Sequence, residues 1–364
     1  MENKTCAVIC EYNPFHYGHK YQIDELHRRG FNVISIMSGN TVQRGEFALF
    51  EKYSRAKCAV EHGADMVVEL PFPYSMTSAA DFARAGVSIA KRLGVDALAF
   101  GCESPELIYD IAGLLRKNGC ELKKIVSESK KMSFPKAKQQ LIREKLGEKH
   151  ADAIRQPNNI LAVEYIIACG DELATLPLLR DQTKLSATYL RSLDRVEMME
   201  NIPKMSEYTA ISADKLDTAV MAKLRMSSID EIAKIYDVAV GTEHRIKKAA
   251  TEAGSLDELI AMLVNTDHTQ ARVKRMLRNI FFDVTPEAVH TPPQYTTLLA
   301  AKREATYLLG KSEIPIITRT ADAGRYPEIS EAYRAAVCAD SVISLAFEQK
   351  IPFYPMKKWL VVSG

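Results

Sequence analysis

The chain lacks several features, and each absence narrows what it can be. Its seven cysteines, at 6, 10, 58, 102, 120, 169 and 338, form no CxxC pair and no regular spacing. That excludes a zinc module or a disulfide framework and reads as reduced, intracellular thiols. No apolar run approaches the ~18 residues of a membrane span, and no basic leader precedes a long apolar stretch, so a soluble, cytoplasmic protein with no membrane partner is expected. Net charge is nearly absent: 48 Lys and Arg against 46 Asp and Glu leave +2 among 364 residues. Any nucleic-acid site must then be a local patch. There is no GxGxxG after the first strand-like run, and no acidic residue follows the second in the ribose-binding position, which excludes a Rossmann dehydrogenase. The absence of GxxxxGK[ST] excludes a P-loop NTPase. No repeat or low-complexity segment interrupts the chain. The single tryptophan, Trp359, sits in an apolar C-terminal run and reads as a packing residue.

What is present begins with a rhythm. Short apolar runs TCAVICEY, NVISIMSG, MVVELP and ALAFG start at residues 5, 32, 66 and 97, separated by amphipathic segments that stop at Gly30 and Gly63. The spacing predicts βα units in a doubly wound parallel sheet, with all strand C-termini on one edge. LPLLR at 176–180 reads as a last strand, after a basic stretch over 123–149. The expected N-terminal domain is therefore α/β and spans 1–195. From residue 206 the patterning turns helical, so 196–364 is expected to be a mostly α-helical domain, with IPIITR at 314–319 its one candidate strand.

The chemistry concentrates in EYNPFHYGH at 11–19, directly after the first strand. A helix starting near His19 would offer free backbone N–H groups and a positive dipole end to phosphate. Gly18 lets the backbone approach a nucleotide, and Pro14 stiffens the loop. His16 and His19 can both face a triphosphate and stabilise the charge that develops as pyrophosphate leaves. SGNTVQRGE at 38–46 follows the second strand on the same predicted edge. Asp65 and Glu69, flanking an apolar strand, read as structural. Cys10 and Cys102 have no base or resolving thiol beside them, so neither reads as a nucleophile.

HYGH at 16–19 resembles the HIGH-type signature of the nucleotidyltransferase superfamily. The longer string EYNPFHYGHKYQI resembles the bacterial tRNA(Met) cytidine acetate ligases, and so do MSGNTVQRGEFALFEKYSRAKCAVEHGADMVVELPFPYSMTSAADFA, LGVDALAFGCES, QPNNILAVEY and LSATYLRS, in the same order. HRIKKAA and TQARVKRMLRNIFF extend the likeness into the helical half. The resemblance implies an ATP-dependent, AMP-forming ligase. Such an enzyme activates acetate as acetyl-adenylate and acetylates N4 of the wobble cytidine of elongator tRNA(Met). Carried over by position, it implies ATP contacts from Ala7, Val8, Ile9, Cys10, Glu11, Tyr12, Asn13, Pro14, Phe15, His16, Tyr17, Gly18, His19 and Lys20. It adds Gly101, Asn158 or Asn159, Arg180, Ser186, Thr188 and Arg191, with His16 and His19 as the catalytic pair. Ser38, Gly39, Asn40, Gln43 and Arg44 become the substrate pocket, where Asn40, Gln43 and Arg44 are candidates for holding acetate, acyl-adenylate or the incoming cytosine. Mg²⁺ is implied as the partner of ATP, with no dedicated protein ligands.

The helical half departs from this pattern. VNTDHT at 264–269 stands where the family carries a basic KTKRYT-like string, and each lost cation weakens a phosphate-binding surface. Arg272, Lys274 and Arg275, with Lys247 and Lys248, remain as an RNA-binding candidate. DQTKL, between Arg180 and Ser186, is also shorter than the family's loop. Two alternatives stay open: a diverged adenylyltransferase with another small acceptor, and a catalytically silent nucleotide- or RNA-binding adaptor.

Overall fold

The computed structural model describes residues 4–119, 122, 134–181, 183–265, 268–352, 354 and 360–362. Residues 123–133 of the basic stretch, residues 266–267 of VNTDHT, and Trp359 lie outside them. The expected strands form as β1 (Lys4–Cys10), β2 (Phe31–Ser38), a short hairpin of β3 (Thr41–Val42) and β4 (Glu46–Phe47), β5 (Met66–Leu70), β6 (Ala97–Cys102) and β7 (Ala174–Leu179). Between them run α1 (Tyr17–Arg28), α2 (Lys52–Glu61), α3 (Ala79–Arg92) and α4 (Ile108–Lys117). Strands β5, β2, β1, β6 and β7 lie side by side and parallel.

Strand period two sorts the core. Ala7, Ile9, Ile34 and Ile36 pack on one face with α3, α4 and the helix Pro157–Cys169, while Cys6, Val8, Val33 and Met37 pack on the other with α1 and α2. Both faces are covered, so these strands read as continuous apolar runs. Each fully buried aliphatic side chain contributes roughly 1.5–3 kcal/mol. The β1 and β2 C-termini, carrying the EYNPFHYGH and SGNTVQRGE segments, meet at one edge.

The sheet crosses the division expected at 195/196. Five helices between Asp217 and Phe281 do pack around their own core of Val220, Leu224, Ile246, Leu259, Val273 and Leu277. The chain then returns as β8 (Thr296–Lys302), antiparallel to β5, with β9 (Ile316–Ile317) and β10 (Leu360–Val362) parallel to β8. The order is β10-β8-β5-β2-β1-β6-β7, with β9 beside β8. TTLLAAK gives no strand signal by itself, because alanine favours helix and a strand buried on both faces shows no alternation.

The two parts meet at the β3–β4 turn. Gly45 has φ +74°, and a Cβ there would stand 2.3 Å from the backbone nitrogen of Arg275 in the helix Gln270–Phe281. Gly45→Ala is expected to destabilise by about 1–3 kcal/mol from the left-handed φ alone, with further loss from pushing the helix away. A thermal melt unchanged from wild type would contradict this.

Candidate active site

α1 starts at Tyr17, two residues earlier than the sequence suggests, because His16 is its N-cap. The His16 Nδ1 accepts from Gly18 N at 3.0 Å, and the His19 Nδ1 accepts from His16 N at 3.3 Å. Both rings thus receive a proton at Nδ1, which assigns their own hydrogen to Nε2 and leaves it as a donor. The rings stack at 3.7 Å. A Cβ on residue 18 would lie 2.9 Å from the His16 ring, so glycine is required for this cap. Tyr12, buried with φ +46°, packs edge-on against Phe15 and His19 and bonds Ser35 Oγ at 2.8 Å, seating the loop on β2. Its partners hold a backbone that non-glycine residues rarely adopt.

Burial, reinforced by the Arg180 and Arg191 charges, pushes His16 down to about 4. Burial, the His16 ring and Arg180 lower His19 as well. Both imidazoles are neutral at pH 7 in a positive field, which suits them to bind an anion as hydrogen-bond donors. Because His16 is buried, the consequence for stability has a definite sign. Below the ordinary histidine value of 6.5 the unfolded chain takes a proton that the folded chain refuses until about pH 4. Stability therefore falls as pH drops through that window, by up to about 3 kcal/mol. Denaturant titrations at pH 7 and pH 4.5 should show a smaller loss in His16→Gln than in wild type; equal losses would contradict the assignment.

The cations belong to named supports. Arg191 Nη1 donates to Asn13 O at 2.8 Å and Nη2 to Thr188 Oγ1 at 3.3 Å, tying the Ala187–Leu190 helix to the loop. Ser186 caps that helix by accepting from Tyr189 N. Arg180 Nη1 lies 3.3 Å from Glu103 Oε1, and a Cβ on Gly101 would meet the Arg180 stem at 3.2 Å. The two asparagines separate here. Asn159 is fully buried, accepting from Glu103 N and Ser104 N and donating to Ala153 O. Asn158 is half-exposed and reaches Glu103 beside Arg180, so of the two it alone keeps an open face. Ala7, Val8, Ile9 and Cys10 are buried in β1; burial pushes the Cys10 and Cys102 thiols up, which disfavours the nucleophilic thiolate. Pro14 and Phe15 are buried, Tyr17 is exposed, and Lys20 pairs with Asp24 at 2.7 Å.

The 38–46 segment is more structural than its polarity suggests. Asn40 is 2% exposed, accepts from Lys52 N, and commits both amide hydrogens to Asp340 and Tyr354, so burial and these bonds make it a structural link. Ser38 is buried, and Gly39 lies against Glu69. Gln43 N donates to Glu11 Oε1 at 2.7 Å, and Gln43 Nε2 donates to Thr77 O at 3.1 Å. Arg44 is exposed, with its charge felt by Glu11. Sequence reasoning passed over Arg55, which is fully buried and donates to Phe50 O at 2.8 Å and to Glu11 O and Gly39 O. It joins the C-terminal ends of β1 and β2. The available signal was that residue 55 falls on the same helical face as Ala56, Ala59 and Val60, a face with no exposed position.

The basic stripe faces inward. Arg272 and Arg275 both pair with Asp237, at 3.0 and 3.5 Å, Lys274 bonds Glu46, and Arg278 stacks on Phe47 at 4.4 Å. Lys247 caps the carbonyls of Arg225 and Ser227. Of the five RNA-binding candidates only Lys248 is exposed, 3.9 Å from Glu252. Arg272→Ala with Arg275→Ala is accordingly expected to lower the melting temperature, leaving Asp237 uncompensated, while RNA affinity and its salt slope stay unchanged. A reduced salt slope would return these arginines to the RNA surface. Among the described residues no group of three His, Cys, Asp or Glu side chains converges on a metal position.

Comparison with known proteins places this geometry. The family described as HIGH Nucleotidyl Transferase matches residues 3–354. A tRNA(Met) cytidine acetate ligase of Syntrophomonas wolfei is 31% identical over 351 residues, covering 85% of this chain and 84% of that one. The enzyme of the same name from Streptococcus pneumoniae strain JJA is 34% identical over 305 residues, covering 78% and 82%. A crystal structure of Thermotoga maritima TmcAL bound with alpha-thio ATP superposes with a TM-score of 0.86 at 26% identity, covering 95% of each chain. The capped HYGH loop, the Arg180–Glu103 pair and the returning β8 all fall within that matched length, so the chain belongs to the HIGH nucleotidyl transferase family and, within it, to the tRNA(Met) cytidine acetate ligases.

Proposed function

We propose that this chain uses ATP to activate acetate as acetyl-adenylate and transfers the acetyl group to N4 of the wobble cytidine of elongator tRNA(Met). The observation that supports this most is the pair of neutral, Nε2-donating histidines at the start of α1, with His16 in the field of Arg180 and Arg191 and His19 in that of Arg180. Such a site favours anions without offering a proton to a base, which suits nucleotide binding and departure of pyrophosphate. In the first step an acetate oxygen attacks the α-phosphorus and pyrophosphate leaves with the bond electrons. In the second, N4 attacks the acyl carbon, AMP leaves, and the N4 proton passes to solvent.

His16 and His19 hold the phosphates from Nε2, Arg180 and Arg191 neutralise charge, and Asn158 contacts the nucleotide. Mg²⁺ would arrive with the nucleotide phosphates and would supply charge neutralisation there. Gly18 and Gly101 keep the approach open. The ion-paired Arg272, Lys274 and Arg275 favour an RNA grip outside that helix face. A cytoplasmic protein is part of the same reading.

The test is incubation with labelled acetate, ATP and Mg²⁺, with and without elongator tRNA(Met), followed by nucleoside analysis. N4-acetylcytidine that requires both ATP and tRNA is the expected product. Acetyl-adenylate without transfer would move the reading to a relative with another acceptor.

A further inference from the structure

The helices between Asp217 and Phe281 fold around a core of their own, and the β3–β4 hairpin lies between them and the nucleotide loop. Its strands are two residues each, with Thr41 paired to Phe47 and Val42 to Glu46. A ladder that short has no stability of its own, so the position of the hairpin is set by what it is fastened to.

On one side it is fastened to the helix Gln270–Phe281. Gly45 lies so close to the Arg275 backbone that a Cβ has no room, and Arg275 Nη1 donates to Gln43 O at 3.4 Å. Lys274 pairs with Glu46, and the Arg278 guanidinium stacks on Phe47. The same helix reaches the loop after β5, where Asn279 Nδ2 donates to Met76 O at 3.3 Å; Gln43 Nε2 donates to the adjoining Thr77 O at 3.1 Å, which ties this contact back to the hairpin.

On the other side both ends of the hairpin are fastened to the nucleotide loop. Gln43 N, just after β3, donates to Glu11 Oε1 at 2.7 Å, and Leu49 N, just after β4, donates to Asn13 Oδ1 at 2.8 Å. Asn13 is buried, and its main-chain oxygen accepts from Arg191 Nη1 at 2.8 Å. One residue therefore carries the hairpin on its side chain and Arg191 on its backbone, just ahead of His16. The Glu11 carboxylate stands in the fields of Arg191, Arg44 and Arg55, and Arg44 rides on the turn of the hairpin itself. A shift of the hairpin would pull on the segment leading to His16 and respace the arginines beside it.

We propose that Glu11 and Asn13 are positioning residues through which the packing of the helical unit on the β3–β4 hairpin sets the shape of the nucleotide loop and its affinity for ATP, an assignment that rests on the ATP-binding part of the function above and is independent of the acceptor. The bistable element is the hairpin, seated between helix and loop or lifted from one of them. Coupling of this kind is reciprocal, so a nucleotide in the loop also tightens the helix Gln270–Phe281 against the hairpin.

The test is a titration of the full chain with a non-hydrolysable ATP analogue. Gly45→Ala pushes the helix from the hairpin and should weaken the analogue roughly five- to tenfold. Glu11→Ala strips the acceptor from Gln43 N and should weaken it by about the same factor, while Glu11→Gln, which keeps an acceptor oxygen, should recover most of that loss. With the hairpin already detached by either change, the double variant should bind within about twofold of the weaker single variant. Losses that multiply, or wild-type affinity in Gly45→Ala, overturn the coupling. Lys274→Met, a milder cut at the same contact, repeats the cycle if Gly45→Ala does not fold. Amide exchange reads the reverse direction: the analogue should slow exchange in the helix Gln270–Phe281 several-fold in wild type and not in Glu11→Ala, and unchanged exchange in wild type overturns the proposal. Failure of the wild-type chain to bind the analogue at all would overturn the nucleotide site itself; tight binding with independent losses would overturn the coupling alone.

Discussion

His19→Ala is expected to lower the rate of acetyl-adenylate formation by about 10²–10³-fold, the scale on which one preorganised donor at a developing charge acts. The structure gives that loss two sources. The Nε2 donor disappears, and so does the Nδ1 acceptor that holds His16 N at 3.3 Å, which frees the cap of α1. His19→Asn separates the two, since its carboxamide can still accept from the His16 amide while changing the donor's reach. If the donor dominates, both variants lose turnover while nucleotide affinity changes little; if the cap dominates, His19→Asn recovers most of the activity. Adenylate formation at the wild-type rate in His19→Ala would remove the histidines from the mechanism.

Arg55→Met is expected to cost roughly 3–5 kcal/mol, the scale for breaking a buried charged network. The side chain is fully buried, and its three bonds go to main-chain oxygens at Phe50, Glu11 and Gly39. Methionine fills similar volume and leaves all three carbonyls without that partner, and each buried orphan costs about 1–3 kcal/mol. Burial lowers the arginine's own proton affinity, a desolvation cost that the nearby Glu51 and Glu11 charges oppose. Urea denaturation measures the loss. A midpoint shift below about 1 kcal/mol would mean that water or relaxation replaces the guanidinium. Because Arg55 ties the end of β1 to the end of β2, the same variant should weaken ATP binding even at temperatures where it remains folded.

The sequence and the structure agree where local rules suffice. Apolar runs at βα spacing became β1, β2, β5 and β6, and EYNPFHYGH landed at the carboxyl edge because a strand followed by a helix allows no other placement. The histidines at 16 and 19 were legible for the same reason. The roles of Asn158 and Asn159 were not, since neighbours in sequence point to different surroundings once the helix Pro157–Cys169 packs. Asn40 looked like a ligand-binding residue because polarity at a strand end is ambiguous; its partner Asp340 is 300 residues away. Arg272, Lys274 and Arg275 looked like a solvated or RNA-facing stripe until the hairpin carrying Glu46 and the loop carrying Asp237 closed over them.

By itself the sequence determined the strand–loop–helix unit that presents His16, Gly18 and His19, because hydrophobic period, glycine placement and capping are local properties. Only the tertiary structure decided that β8 joins the sheet antiparallel beside β5, that Arg55 bonds three carbonyls from separate segments, and that Lys52, Glu69 and Asp340 form one buried cluster. Those outcomes depend on pairings across tens to hundreds of residues, and no local pattern records which distant partner will satisfy a buried charge or an open strand edge.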